Sequence, residues 1–175
     1  MKFVTDLRQG QNQPSLTKAL LWAVLLPVMG LPWAVGLIAP VLEANANDQT
    51  IVLSSGFRPD PQKLENKTSG NESLANLSKG KNCRGFANKE PAYTIELKDD
   101  FQQLTFLVEG KRLNDDATLL IKGPGSFVVC GDNEINLNPY VTGRFPRGKY
   151  SVWVGSKKAQ TSFEYTLSIS EGSQN

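Results

Sequence analysis

A chain of 175 residues has room for one or two domains, and 39% hydrophobic residues suffice to build a core. It contains no histidine, which excludes Ser-His-Asp and Cys-His nucleophilic machinery and histidine-ligated zinc. The formal net charge is +2, and Lys2, Arg8 and Lys18 precede residue 47 against Asp6 and Glu43, so the remainder is close to neutral. No nucleic-acid partner is expected, because that would need a concentrated basic face, and Lys157-Lys158 reads as a solvated turn.

Residues 19–42 contain no charged side chain; basic residues lie before them and Ala44-Asn45-Ala46 just after. A positive start, an apolar middle and small residues at −3 and −1 make a secretory signal peptide over 1–46, with a mature chain from Asn47. The apolar run is also long enough to span a bilayer, for which about 20 residues suffice, so an uncleaved anchor is the competing reading. Pro27, Pro32 and Pro40 make a continuous spanning helix less comfortable. A buried soluble helix is the third reading. The first two place the protein in the periplasm or outside the cell, touching a membrane only through this segment if it is uncleaved.

Cys83 and Cys130 are the only cysteines and both fall after the leader. In an oxidising compartment two thiols have one intramolecular pairing, which would close a loop of about 48 residues and stabilise by up to about 4 kcal/mol. The alternative is two separate buried thiols.

From 47 to 91 the chain is polar, with only Ile51-Val52-Leu53 reading as a short strand, and Pro59-Asp60-Pro61 cannot lie in a central strand. This stretch is expected to wrap the domain as a loop. Asn66, Asn71 and Asn76 open Asn-x-Ser/Thr triplets, read as chance in a Ser- and Asn-rich segment. From 92 to 175 the period becomes two-fold. Tyr93, Ile95 and Leu97 share one face; so do Leu104, Phe106 and Val108, then Leu119 and Ile121, then Phe127 and Val129. Tyr150, Val152 and Val154 follow with Trp153 on the opposite face, and Phe163, Tyr165, Leu167 and Ile169 complete the series. Gly123-Pro124-Gly125 and Pro146-Arg147-Gly148 punctuate these runs as tight turns. The pattern predicts an all-β, antiparallel β-sandwich of seven to eight strands, with Phe106, Ile121, Val152 and Leu167 in its core.

Chemistry concentrates in Asn114-Asp115-Asp116 and Asp132-Asn133-Glu134, hard oxygen donors at strand ends. Calcium takes six to eight such oxygens, so Asp115, Asp116, Asp132, Asn133 and Glu134 are candidate metal ligands, although no EF-hand run is present. The plainer reading is turn chemistry, in which Asp and Asn bond their own backbone. Glu134 with Asp115 or Asp116 is an imaginable hydrolytic carboxylate pair, with no long loops to build its cleft. Trp153 and Tyr140 are candidate sugar-stacking rings, against a core reading for the tryptophan.

Ser55-Gly56-Phe57-Arg58-Pro59-Asp60-Pro61, Cys83-Arg84-Gly85-Phe86, Asp116-Ala117-Thr118-Leu119, Cys130-Gly131-Asp132-Asn133, Asn138-Pro139 and the run Phe145–Gly155 come in that order. This series resembles a group of exported bacterial β-sandwich proteins, most of them cyanobacterial, with the same cysteine spacing; the resemblance brings no activity with it. More distantly, the Asp-x-Thr-Leu and Gly-x-Tyr-x-Val-x-Val strands are similar to the bacterial pre-peptidase C-terminal domain. That resemblance implies a jelly-roll-like sandwich, a non-catalytic accessory role and calcium-loop positions at Asp115, Asp116 and Asp132. Asn133 stands where the exported group usually has a second aspartate, which weakens the calcium expectation because affinity follows ligand charge. The expectation is therefore an exported, non-catalytic binding or envelope-accessory module, its partner an envelope glycan or protein and its one conceivable cofactor calcium. The alternative is a carboxylate hydrolase acting on envelope polysaccharide or peptidoglycan.

Overall fold

In the computed structural model, residues 49–133 and 135–172 are described; the leader and Glu134 lie outside them. Strands β1 (Gln49–Leu53), β2 (Gln62–Lys67), β3 (Glu72–Ser73), β4 (Phe86–Ala87), β5 (Tyr93–Leu97), β6 (Phe101–Gly110), β7 (Ala117–Lys122), β8 (Val128–Asp132), β9 (Tyr140–Phe145), β10 (Gly148–Ser156) and β11 (Glu164–Glu171) form two sheets. One helical turn, α1 (Leu74–Leu77), lies between β3 and β4. The larger sheet runs β1-β5-β10-β7-β8, with β4 and β3 continuing beside the far end of β10. The smaller sheet runs β2-β11-β6-β9. All pairings are antiparallel except β1 on β5. The all-β sandwich is as expected, with nine strands of five or more residues and two of two among the described residues.

The two-fold periodicity works because each strand turns one face into a shared core. Tyr93, Ile95, Leu119, Ile121, Val152 and Val154 of the larger sheet meet Leu104, Phe106, Val108, Tyr165, Leu167 and Ile169 of the smaller. Phe106, Ile121, Val152 and Leu167 are all buried there. At one end Phe127, Phe145 and Tyr150 pack with ring centroids 5.1–5.6 Å apart, in tilted and edge-on geometries that suit ring quadrupoles. The Tyr150 hydroxyl donates to the Pro146 carbonyl at 2.6 Å, tying the β9–β10 turn to the core.

The larger sheet also buries its outer face. Leu120 and Trp153 point away from the sandwich and pack with Leu74, Cys83 and Ala87. The covering segment is a strap, residues 72–87, held close where Gly155 faces the Phe86 carbonyl; a Cβ at 155 would collide with it. Gly85 adopts φ +99° against Thr118, a conformation that a side chain would strain. The Cys83–Cys130 disulfide fastens this strap to β8, with Cα atoms 5.6 Å apart.

The stretch expected to be a wrapping loop with one strand thus contributes more. Besides β1 it supplies β2, which pairs with β11 over six residues, and the strap. In β2 the inward positions are Gln62, Leu64 and Asn66, so a single apolar residue marks the face. Asn66 turns inward toward the Tyr93 and Tyr165 hydroxyls.

Two outcomes follow. Replacing both Cys83 and Cys130 by serine should cost about 2–4 kcal/mol in urea unfolding, with the loss removed by pre-reducing the wild type. An equal melting temperature for the oxidised wild type and the double variant would show that the strap seats without its tether. Burial, and then neighbouring Tyr93, raise the Tyr165 pKa; burial raises that of Tyr93. Burial and then Asp100 push Tyr150 up to about 12. The folded state therefore keeps protons that the unfolded chain releases above about pH 10, so stability is complete below that pH and falls as pH rises beyond it. Tyr165→Phe should make this alkaline fall shallower; an unchanged slope would mean the hydroxyl is not the titrating group.

Candidate functional site

Three loops meet at one end of the sandwich: 111–116 between β6 and β7, the loop after β8, and 157–163 between β10 and β11. Their backbones are cross-tied. Ala117 N–H donates to Leu137 O at 3.3 Å, Lys157 N–H to Asp116 O at 3.0 Å, and Lys111 N–H to Glu164 O at 3.0 Å. Asn133 and Asn136 take φ +44° and +58°, the left-handed region that asparagine tolerates best among residues with side chains.

The sequence-predicted acids do different jobs here. Asp115 is buried (6% exposed) and folds back on its own turn. Its Oδ2 accepts the Arg112 N–H at 2.9 Å, and its Oδ1 accepts Arg112 Nε at 3.0 Å and Nη2 at 2.9 Å. Asp115 N–H in turn donates to Arg112 O at 3.0 Å. This carboxylate braces the hairpin tip, with both oxygens engaged within the turn.

Asp116 and Asp132 do converge. In the orientation its neighbours dictate, the Asn133 amide nitrogen donates to Asp116 Oδ1 at 2.9 Å and Asp132 Oδ1 at 3.2 Å. Lys157 Nζ meets Asp132 Oδ2 at 2.7 Å. A hard cation at this point would have to displace an ammonium and turn an amide around. Among the described residues no group of three or more His, Cys, Asp or Glu is placed to hold a metal. The Asn133 that stands in place of an aspartate is thus a donor to two carboxylates, and among the described residues it occupies oxygens of Asp116 and Asp132 that calcium would need. Glu134, the other half of the hydrolytic pair, lies outside the described residues.

Trp153 is 7% exposed, and the structure corrects its candidacy as a stacking ring. Its indole N–H donates to Lys89 O at 3.2 Å, and Lys122 Nζ sits 5.5 Å from the ring centroid. Strap packing and this cation–π contact take the faces a sugar would need. Tyr140 opens β9 opposite Leu107, half-buried.

What sequence reasoning missed is Leu113. It is 98% exposed at the braced tip, beside a cleft of about 460 Å³ lined by Arg112, Asp116, Leu137, Lys157 and Phe163. Ile135, 43% exposed, is the other large apolar residue exposed on these loops. The available signal was one leucine inside Lys111-Arg112-Leu113-Asn114-Asp115-Asp116, a charged turn with no local use for it.

The Asn133–Lys157 arrangement makes a direct prediction. Calcium titrated to millimolar concentration should leave the melting temperature of the wild type unchanged. Lys157→Gln should lower it by a few degrees, as expected for loss of about 1 kcal/mol in a half-buried pair. A saturable calcium-dependent rise in the wild type would instead make Asp116 and Asp132 metal ligands.

No family model matches the chain, and no curated protein matches it in sequence. Among solved structures it is similar to the pre-peptidase C-terminal domain of a collagenase from Bacillus anthracis, at 11% identity and a TM-score of 0.44, covering 70% of this chain and 95% of that one. It is also similar to a periplasmic inhibitor of g-type lysozyme from Aeromonas hydrophila, at 14% identity and a TM-score of 0.37, covering 70% and 97%. At these values neither carries information on activity, and the all-β assignment rests on the chain's own two sheets.

Proposed function

We propose that this chain is an exported, non-catalytic binding module that presents the loop end of its sandwich to a protein of the cell envelope. The observation that carries this reading is Leu113, held nearly fully in solvent by a turn whose own aspartate is buried beneath it. A single exposed leucine is ordinary on a protein surface. Leu113 differs in being fixed: the Arg112–Asp115 brace, the cleft at its side and the charged rim make an apolar knob with a polar border. Interface hot spots have that anatomy, and a rigid tip loses little freedom on docking.

Further observations support this reading over the others. The chain has no histidine, and Asp115, Asp116 and Asp132 are engaged by Arg112, Asn133 and Lys157, which disfavours their use as an acid–base pair. The packing of Trp153 favours a protein over a stacked glycan. The Cys83–Cys130 bridge belongs to an oxidising compartment, in keeping with the uncharged run 19–42 after a basic start.

A photo-crosslinking residue at position 114, introduced into the full chain in the producing cell, tests the surface. It should give a discrete protein adduct that the same probe at Lys63 on β2 does not. Leu113→Glu should weaken that adduct at least about tenfold, the scale of a hot-spot loss. Identical adducts from both positions, or none at 114, would remove the loop end as the binding face.

A further inference from the structure

The strap carries a charge asymmetry that the near-neutral total conceals. Residues 74–89 contain Lys79, Lys81, Arg84 and Lys89 and no acidic residue; Glu72, which opens the strap and accepts from Asn76, and Glu90 flank them. All four side chains are exposed. Each ion pair among the described residues uses other cations, namely Lys98, Lys111, Arg112 and Lys157. Lys122 stands behind the strap with its Nζ on Leu77 O at 3.0 Å, adding a half-buried charge. Lys79, Lys81 and Arg84 fall within six residues, and the disulfide at Cys83 fixes the middle of that run. Arg84 and Asn82 line an open trough of about 740 Å³ between strap and β8, continued by Ala75, Cys130 and Gly131 and by Asp132, whose charge Lys157 offsets.

We infer that this strap is a docking surface for an acidic polysaccharide bearing carboxylates, separate from the loop end. Charge complementarity gives the sign of the ligand, and three absences on the strap narrow its class. None of the exposed large hydrophobic side chains (Val52, Leu113, Ile135) lies here, so there is no group to insert into a lipid surface or to anchor a protein. No aromatic residue of the strap is exposed, which removes the stacking platform that single-stranded nucleic acids use. The backbone N–H groups of Ser78, Lys79, Gly80 and Cys83 are all bonded within the strap, to Leu74, Asn76, Ala75 and Lys81 carbonyls. Those four are therefore not free to cradle a phosphate. What remains is a guanidinium and an amide at a polar trough, with the exposed ammonium groups of Lys79 and Lys81 a few residues upstream on the same strap. That arrangement suits a hydrophilic chain carrying a weak charge on each repeat.

The test is retention of the full oxidised chain on immobilised alginate in EDTA, followed by affinity measurement at low salt. Neutral dextran and vesicles of phosphatidylcholine with one quarter phosphatidylglycerol serve as comparisons. Wild type should bind alginate, release as salt shortens the screening length, and ignore dextran and bind the vesicles less. Lys79→Gln/Lys81→Gln/Arg84→Gln should weaken binding about tenfold or more, with the melting temperature unchanged because these side chains are exposed and unpaired. Lys63→Gln/Arg144→Gln/Lys149→Gln removes the same charge from elsewhere and should weaken it less than about twofold. Equal losses in the two triple variants would reduce the effect to net charge and overturn the proposal. Stronger binding to the vesicles than to alginate, or no alginate binding, would also overturn it. Leu113→Glu should leave alginate binding intact, which keeps this result separate from that at the loop end.

Discussion

The middle of the larger sheet, at β7 and β10, is apolar on both faces, and that constraint organises the rest of the molecule. On β10, Tyr150, Val152 and Val154 enter the sandwich while Trp153 points out; on β7, Leu119 and Ile121 enter while Leu120 points out. Leaving Leu120 and Trp153 in water would forfeit about 4 kcal/mol of burial. The cover is a segment with two residues per strand and one helical turn, too little regular structure to persist alone. Its seat is therefore made by close backbone approach at Gly155 and by the covalent tie from Cys83 to Cys130.

That tie also sets the loop end. Cys130 lies two residues before Asp132 on the edge strand β8. Fixing β8 fixes where its following loop departs, and hence where Asn133 meets Asp116, just before β7, and where Asp132 meets Lys157, just after β10. The polar cluster is consequently a cross-brace between three strands that the strap already holds in register. Its charges are consumed in doing so. A site meant for a hard cation would instead keep several carboxylate oxygens open toward one point.

The sandwich was legible because the core-facing side of β5, β6, β10 and β11 is uniformly apolar, so alternation survives in their sequence. β2 escaped notice because its inward face is Gln62, Leu64 and Asn66, polar positions tolerated at the sheet edge beside buried tyrosine hydroxyls. The parallel β1–β5 pairing joins residues more than forty apart, a distance over which local pattern carries no information. In the loops, the residue types were right and their roles were not separable. Asp115 and Asp116 are neighbours, yet one turns back under its own hairpin and the other faces Asn133. Trp153 lay on the opposite face from Val152, as alternation required; what covered it was seventy residues upstream in segments with no periodicity. The unpaired cations of the strap were in plain view but diluted by a balanced total.

Pairing separates the two proposed surfaces physically. At the loop end, Arg112 and Lys157 are bound to aspartates of the same loops, so they add rigidity and little long-range field. On the strap, Lys79, Lys81 and Arg84 have no such partner and project their charge into solvent, where it acts over roughly a Debye length of about 8–10 Å. Short-range shape recognition and longer-range electrostatic capture make opposite demands on a side chain: one needs it held, the other needs it free. Carrying both on one small domain requires that they sit on different elements. The strap answers that requirement, because its own fold depends on Leu74, Ala87 and the disulfide rather than on any of its charges.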